Sequence, residues 1–244
     1  MEVAGIGGPA VANAVAVRGA REQVTPFPEP PPPASSFHRG HLIRTLQTSE
    51  LIVTLTFDDG PDPTKSLAIA DVLKRRGYEG KATFFQVGIN ALSYPKVTRE
   101  LFERGYEIGN HSKTHSTYSG AGEAAEIAPA QEIFLRLNGV LPRFFRSPGL
   151  VVSSLIQDEC VRLGLANVLT DLDERDWAMP RLTPIEMNTR FSFNLHPGYI
   201  CLRHDGGTHQ NTVDAMDGLI DIIEVRGFRI VSLIDGLYTE SGGT

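Results

Sequence analysis

The hydrophobic positions of the chain form short β-type runs that alternate with longer stretches of helical spacing, beginning near residue 50. Runs rich in β-branched and aromatic residues predict seven strands, at residues 51–57, 81–88, 106–111, 143–147, 165–171, 198–204 and 228–233. Apolar positions at helical spacing, most of them closed by a glycine, predict five helices, at residues 64–77, 94–105, 125–139, 153–164 and 212–227. This alternation is typical of an α/β fold with a mostly parallel sheet, and the unit count fits a small (β/α) barrel of a single domain.

Residues 1–40 do not follow this pattern. Residues 25–36 read TPFPEPPPPASS, and so many prolines favour extended polyproline geometry over helix or central strand. We therefore predict a disordered or proline-rich leader or linker at 1–40 and a folded domain at 41–244. The weakly apolar stretch at residues 7–17 lacks the basic n-region of a signal peptide, so an export segment and a plain leader both stay open.

Composition and charge exclude some classes of function. The chain has 244 residues and a formal net charge of −6, which gives no reason to expect nucleic acid as a partner. The sequence contains no apolar run of about 18 residues, the length that would predict a transmembrane helix. Cys160 and Cys201 lie in apolar segments, which favours small buried side chains and leaves a disulfide open.

Polar residues of chemical interest collect at one end of the predicted strands. In a parallel barrel the carboxyl ends of the strands meet at the same face, where the active site lies. We therefore expect the side chains that follow these strands to meet. They are Asp58, Asp59, His111, His115, Arg146, Asp173, Asp176, Trp177, His204 and Asp205.

The pair Asp58-Asp59 and the HxxxH spacing of His111 and His115 together indicate a metal site. Two histidines and one carboxylate, with a position left for water, form a typical catalytic zinc arrangement, whether the histidines lie on a helix or in a tight loop. A metal hydrolase also needs a second carboxylate to take the proton of the attacking water. Taken separately, each motif also fits a simpler structure, a polar loop for the histidines and a solvated Asp-Gly-Pro turn for the aspartates.

Together these residues resemble the polysaccharide deacetylase family, also called the NodB homology domain or carbohydrate esterase family four. The resemblance covers residues 51–233, and five motifs stand in the family's order. They are TFDDGP at 56–61, HSKTHS at 111–116, RSPG at 146–149, DERDW at 173–177 and LRH at 202–204.

The resemblance implies a distorted barrel of fewer than eight β/α units and metal-dependent removal of acetyl groups from sugars. It implies that Asp58 is the general base, oriented by Arg146, and that His204, paired with Asp176, is the general acid. A carboxylate partner should raise the pKa of His204 and keep it protonated. The other implied roles are divalent metal binding by Asp59, His111 and His115 (zinc first, cobalt or nickel as alternatives), oxyanion binding by the backbone N–H of Gly149, and substrate contact by Pro148, Trp177 and Leu202.

Three positions depart from the family's usual pattern. Arg203 stands where the family has an apolar residue, and strand alternation turns it away from His204, so we expect it outside the pocket and paired with a surface acid. Ser147 replaces the usual proline, and Leu150 replaces a glycine or an aromatic residue. We expect Ser147 to leave activity intact and Leu150 to reshape the substrate groove.

The expected substrate is an acetylated polysaccharide or oligosaccharide that contains N-acetylglucosamine, such as chitin oligomers or peptidoglycan. O-acetyl ester cleavage on xylan and a catalytically silent carbohydrate-binding role stay open as alternatives. A glycan substrate favours an extracellular or cell-envelope protein, with a cytoplasmic one left open, and we expect a monomer. His196 and His209 are predicted loop residues, and Tyr118 is a candidate for stacking on a sugar.

Overall fold

The structure is a computed structural model of the chain and describes residues 40–116 and 121–240. Apart from Gly40, the predicted leader lies outside the described residues, as does Tyr118. Within the described part of the chain, eight strands form one sheet whose paired strands all run parallel. The strands are β1 Leu42–Ile43, β2 Ile52–Asp58, β3 Ala82–Gln86, β4 Glu107–Asn110, β5 Phe144–Phe145, β6 Ala166–Val168, β7 Tyr199–His204 and β8 Arg229–Ile230.

The sheet curls until its two edges nearly meet. The strand order is β1-β6-β5-β4-β3-β2-β7, and β8 pairs with the start of β2. Hydrogen bonds bridge the remaining gap: Leu46 N donates to Gly198 O at 2.9 Å, and Thr170 Oγ1 donates to Ile200 O at 2.8 Å. The result is a distorted (β/α) barrel in one domain, which confirms the predicted fold class.

Helices cover the outside of the barrel. They are α1 Lys65–Arg75, α2 Gly88–Ser93, α3 Pro95–Glu103, α4 Ala121–Asn138, α5 Ser154–Leu163, α6 Pro184–Asn194, α7 Gln210–Val225 and α8 Leu233–Glu240. A 3-10 turn at Pro148–Leu150 follows β5. Among the described residues, no helix combines the length and hydropathy needed to cross a lipid bilayer.

Alternation along the strands separates two cores. Val53, Leu55 and Phe57 of β2 belong to the large cluster that packs against the helices. Ile52 and Ile200 belong to a smaller cluster that also contains residues of β1, β5 and β6, and so lies inside the barrel. Because side chains alternate, the last residues of β2 and β7, Asp58 and His204, also face the interior.

All seven predicted strands and all five predicted helices are present, with shorter bounds in most cases. The structure adds β1, a strand of two residues, and the helices α2, α6 and α8. The start of α6 carried a local signal: the hydroxyl of Thr183 accepts from Glu186 N, and the Glu186 carboxylate accepts from Thr183 N, a capping box. Cys160 and Cys201 are buried and free, as the apolar surroundings favoured.

Candidate active site

The first carboxylate of the pair, Asp58, ends β2 and is buried against a cation. Arg146 Nη1 donates to Asp58 Oδ1 at 2.8 Å and to Thr56 Oγ1 at 2.7 Å. The same guanidinium donates from Nε to the carbonyl of Val168 at 2.8 Å and lies 4.2 Å from the centre of the Phe85 ring. Arg146 is completely buried, so its contacts fix the orientation of Asp58 Oδ1 and leave Oδ2 turned toward the histidines.

The second carboxylate, Asp59, meets both histidines of the HxxxH motif. Asp59 Oδ1 lies 3.0 Å from His115 Nε2 and 3.4 Å from His111 Nε2. Asp58 Oδ2 lies next to this group, 3.8 Å from His111 Nε2. The structure therefore brings together Asp58, Asp59, His111 and His115, which the two motifs placed at the same end of the predicted strands.

The two histidines lie in a loop after β4, which decides between the helix and the loop that the sequence left open. Asn110 Oδ1 accepts from Ser112 N at 2.8 Å, and Ser112 Oγ accepts from His115 N at 3.0 Å. Ser112 and His115 have φ values of 66° and 60°, and Asp59 has 73°. Left-handed backbone is uncommon outside glycine, and its concentration at three positions of one cluster is typical of a functional site.

The tautomer of His111 follows from its hydrogen bond. His111 Nδ1 lies 2.7 Å from the carbonyl oxygen of Arg146, which can only accept, so Nδ1 carries the proton. The Nε2 lone pair then points toward Asp59. A backbone carbonyl that holds one nitrogen of a histidine is the usual second contact of a metal ligand.

The charges of Asp59, His111 and His115 favour a bound cation between these three side chains. Burial alone would raise the pKa of Asp59, but the close contacts with the two imidazoles and their charges lower it well below its ordinary value. The close contact with the Asp59 carboxylate raises the pKa of His115 despite burial. Among the described residues, no donor of good geometry satisfies the buried Asp59 Oδ1. Each of these features indicates a carboxylate that needs positive charge beside it.

The residues present fit a divalent metal ion. Ligand atoms of Asp59, His111 and His115 all lie within 4.8 Å of one another. Two ligands bound to a tetrahedral zinc ion at ordinary bond lengths are about 3.3 Å apart, close to both Asp59-to-imidazole distances. One carboxylate and two imidazoles also form a common donor set of catalytic zinc sites.

On the other side of the strand pair, His204 ends β7 and is held by Asp176. His204 Nδ1 lies 2.6 Å from Asp176 Oδ1, and Asp176 Oδ2 accepts from His204 N at 2.9 Å and from Thr212 Oγ1 at 3.1 Å. Burial would lower the pKa of His204, but the hydrogen bond to Asp176 and the nearby carboxylates raise it to about 9. His204 is therefore protonated at neutral pH.

His204 and Asp58 are direct partners in the ladder between β7 and β2. Opposite residues of neighbouring strands place their side chains on the same face, so both groups point into one space. An ion-paired carboxylate and a protonated imidazole thus flank a cluster of potential metal ligands. That combination can remove a proton on one side of a bound group and supply a proton on the other.

The remaining predicted site residues differ in their exposure to solvent. Pro148 and Leu202 are buried, and Gly149 has a φ of 64° within the 3-10 turn that follows Arg146. Trp177 is 44% exposed, and its Nε1 donates to Asp173 Oδ2 at 2.9 Å. Trp177 is therefore tied to its own loop, next in the chain to Asp176.

The predicted surface partner of Arg203 is wrong. Arg203 does point away from His204, but toward α6, where it is completely buried, and its Nη2 lies 3.1 Å from the equally buried Glu174 Oε2. Glu174 lies in the loop before α6, so this pair joins residues that are far apart in the sequence. Glu174 also accepts from the hydroxyl of Tyr199 at 3.0 Å.

Three further residues lie beside the site, and only Asp205 is among the side chains that the strand ends predicted to meet. Buried Glu123 of α4 accepts a hydrogen bond from Ser147, next to Arg146. Asp205, also buried, accepts one from Ser66 and lies against Gly60, where an added Cβ would come within 2.4 Å of it. His209, expected in a loop, is buried against His204. Among these residues, only Asp205 had a local signal in the sequence, because it directly follows His204 at the end of β7.

A family model described as polysaccharide deacetylase matches residues 45–168. A peptidoglycan-N-acetylglucosamine deacetylase of Bacillus cereus is 30% identical over 200 residues, which are 80% of this chain and 92% of that protein. A chitooligosaccharide deacetylase of Azorhizobium caulinodans is 32% identical over 210 residues, 80% of this chain and 98% of that protein.

Solved structures show the same relationship. The chitin deacetylase of the fungal pathogen Colletotrichum lindemuthianum superposes with a TM-score of 0.72 at 30% identity, over 81% of this chain and 92% of that chain. The region that the family model matches, residues 45–168, contains Asp58, Asp59, His111, His115 and Arg146. The five motifs, the barrel and these matches agree, and the chain belongs to the polysaccharide deacetylase family.

Proposed function

We propose that the protein is a metal-dependent hydrolase that removes N-acetyl groups from N-acetylglucosamine units in a glycan such as chitin oligomers or peptidoglycan. The observation that carries the proposal is the ladder pair of Asp58 and His204, each fixed by its own buried partner, beside the Asp59 cluster. The relatives named as deacetylases of peptidoglycan and of chitooligosaccharides support this substrate class.

Asp59, His111 and His115 would hold the metal ion, which we propose is zinc, with cobalt or nickel as replacements. When bound there, a divalent cation lowers the pKa of water and polarises the acetyl carbonyl. The hydrogen bond from His111 Nδ1 to the Arg146 carbonyl keeps that imidazole oriented toward the site.

Asp58 acts as the general base. Its Oδ1 is held by Arg146, so Oδ2 takes the proton from the water oxygen that attacks the acetyl carbonyl carbon. The guanidinium keeps the carboxylate oriented before the proton arrives. The N–H of Gly149, in the turn directly after Arg146, donates to the developing oxyanion.

His204 acts as the general acid. Its protonated imidazole gives a proton to the amide nitrogen as the bond between that nitrogen and the acetyl carbon breaks. The products are acetate and the free amine of the sugar, and every atom of the attacking water is accounted for. Asp176 orients His204 and stabilises its charge, and Pro148, Trp177 and Leu202 contact the substrate around the acetyl group.

We assign this activity to a catalytic domain at residues 41–244 that acts as a monomer, with residues 1–40 as its leader or linker. The substrate class supports an extracellular or cell-envelope location. The net charge of −6 does not favour nucleic acid as a partner.

Acetate release from N-acetylated chitooligosaccharides by the metal-stripped protein, with and without added Zn²⁺ or Co²⁺, tests the proposal. We expect release only with metal, and none from an Asp58→Asn control that binds the same metal. Acetylated xylan, assayed in parallel, distinguishes amide cleavage from ester cleavage. If the metal-loaded protein binds the oligosaccharide and releases no acetate from either substrate, the hydrolase proposal fails and a silent binding role replaces it.

A further inference from the structure

A second imidazole lies against the proposed general acid. His209 precedes α7 and is 8% exposed. Its ring stacks on His204 with centroids 4.9 Å apart and an angle of 23° between the planes. Asp176 holds His204 through Nδ1 in the plane of its ring, so the stacked His209 restrains the face that this hydrogen bond leaves unrestrained.

The ring of His209 also contacts a guanidinium. Arg181 Nη1 lies 3.3 Å from His209 Nδ1 and 3.5 Å from Nε2. The half-buried guanidinium is itself fixed, because Nη2 donates to Thr208 Oγ1 at 2.6 Å and Nη1 to the Asp176 carbonyl at 3.3 Å. A guanidinium can only donate and a protonated imidazole has no lone pair to accept, so this contact favours a neutral His209.

The charges around the two rings agree with this assignment. Burial, the charge of His204 and the charge of Arg181 lower the pKa of His209 to about 4, with Asp176 opposing them. His209 is therefore neutral while His204 is protonated. Asp58, Asp59 and His115 also interact with His204 through their charges, and Asp59 interacts in the same way with His209.

A second metal site is the other candidate function for this cluster. Ligand atoms of Asp176, His204 and His209 lie within 4.8 Å of one another. However, Asp176 is already occupied by His204 and Thr212, and the guanidinium of Arg181 already places a positive charge against His209. The geometry favours a neutral ring packed between charged groups over a ligand for a further cation.

We propose that His209 is a positioning residue that fixes the ring of the general acid and keeps the guanidinium of Arg181 away from it. The inference rests on the proposed deacetylase function, in which His204 is the acid. His209 itself takes no proton from the substrate and gives none. Its contribution comes from a flat neutral ring, which a phenylalanine can replace and an alanine cannot.

The test compares His209→Phe with His209→Ala in the zinc-loaded protein, with His196→Ala as a matched control in a loop outside the site. We expect His209→Ala to lower kcat by about ten- to a hundredfold through misplacement of the acid, and His209→Phe to retain most of it. The alkaline limb of the pH profile should move to lower pH in His209→Ala and stay in place in His209→Phe and in the control.

An NMR titration of the His204 imidazole separates this inference from the proposed function, because it needs no turnover. We expect the pKa of His204 to fall in His209→Ala, and to recover when Arg181→Met is added to that variant. If His209→Ala does not fold, two other variants decide. The proposal is supported if the pKa of His204 is unchanged in His209→Phe and is equal or higher in Arg181→Met. An unchanged His204 titration in folded His209→Ala, or an equal loss in both His209 variants, overturns it.

Discussion

Two buried arginine-carboxylate pairs lie on opposite faces of β2 and β7, on neighbouring rungs of one ladder. Arg146 and Asp58 face the barrel interior, and Arg203 and Glu174 face α6. Every nitrogen of Arg146 donates a hydrogen bond, whereas Arg203 Nη1 has no partner among the described residues. The pair in the site is thus the more completely satisfied of the two.

For the two carboxylates the order is reversed: Glu174 is the more completely enclosed, and Asp58 keeps one oxygen open. Glu174 is enclosed by Arg203, Tyr199 and Cys201, and burial raises its pKa although Arg203 opposes the shift. Asp58 uses Oδ1 for its arginine and turns Oδ2 toward the histidines. The same chemical pair therefore suits the proposed catalytic role where one carboxylate oxygen is left open, and suits packing where both oxygens are enclosed.

The largest effect should come from Asp58→Asn. The amide is almost the same size and can still accept from Arg146, but it cannot take a proton from water. We expect kcat to fall by about 10²–10⁴, the usual loss for a proton-transfer group, with metal content and unfolding midpoint close to those of the wild type. Acetate release at saturating zinc measures it, and a variant that turns over at the wild-type rate would refute the mechanism.

Arg203→Met should affect stability instead. The substitution leaves Glu174 buried without its cation, and breaking a buried pair in this way costs about 3–5 kcal/mol. We expect a lower urea midpoint with kcat per folded molecule unchanged. The control is Arg75→Met, which removes the exposed pair with Asp217 and should cost no more than about 1 kcal/mol. Equal stability of the two variants would mean that the buried pair contributes no more than a surface pair.

The two pairs also show what the sequence could predict. Asp58, His111, His115 and His204 lie in short motifs directly after strands, so local sequence and the geometry of parallel barrels were sufficient to bring them together. The partner of Arg203 depends on how a loop 29 residues earlier in the chain packs under α6. Strand alternation gives the direction of Arg203 but carries no information about that loop.

The same reason explains the other gaps. The stacking of His209 on His204 depends on the path of the loop before α7, and its contact with Arg181 depends on the path of the loop before α6. No local pattern encodes either path. β1 and α2 are too short for a periodic signal, since they contain two and six residues. The capping box of Thr183 and Glu186 was a usable signal in the sequence for the start of α6.

The acid side of the site should be visible in the pH profile. Since the folded pKa of His204 is raised to about 9, the protonated acid is present at neutral pH and is lost as the pH rises through that value. We expect kcat to fall about tenfold per pH unit above it. In Asp176→Asn the hydrogen bond to a charged partner is gone and burial lowers the pKa, so the alkaline limb should move to lower pH. An unmoved limb in that variant would show that another group controls it.

The smallest effect should come from replacing the whole Arg203 pair with apolar residues. In Arg203→Met combined with Glu174→Leu, no charge is left buried, and such replacements are often neutral or stabilising. Tyr199 loses one acceptor but keeps the carbonyl of Leu172 at 3.1 Å. We therefore expect the double variant to recover most of the stability that Arg203→Met loses, and to release acetate at the wild-type rate.

The equivalent replacement on the interior face, Arg146→Met with Asp58→Leu, should also fold, because it too removes both buried charges. It should release no acetate, since no base remains. Urea unfolding and acetate release, measured on both double variants, complete the comparison. Loss of activity in the double variant of Arg203 and Glu174 would mean that the charge of Glu174 affects the reaction through β7. The division between a catalytic pair and a packing pair would then be wrong.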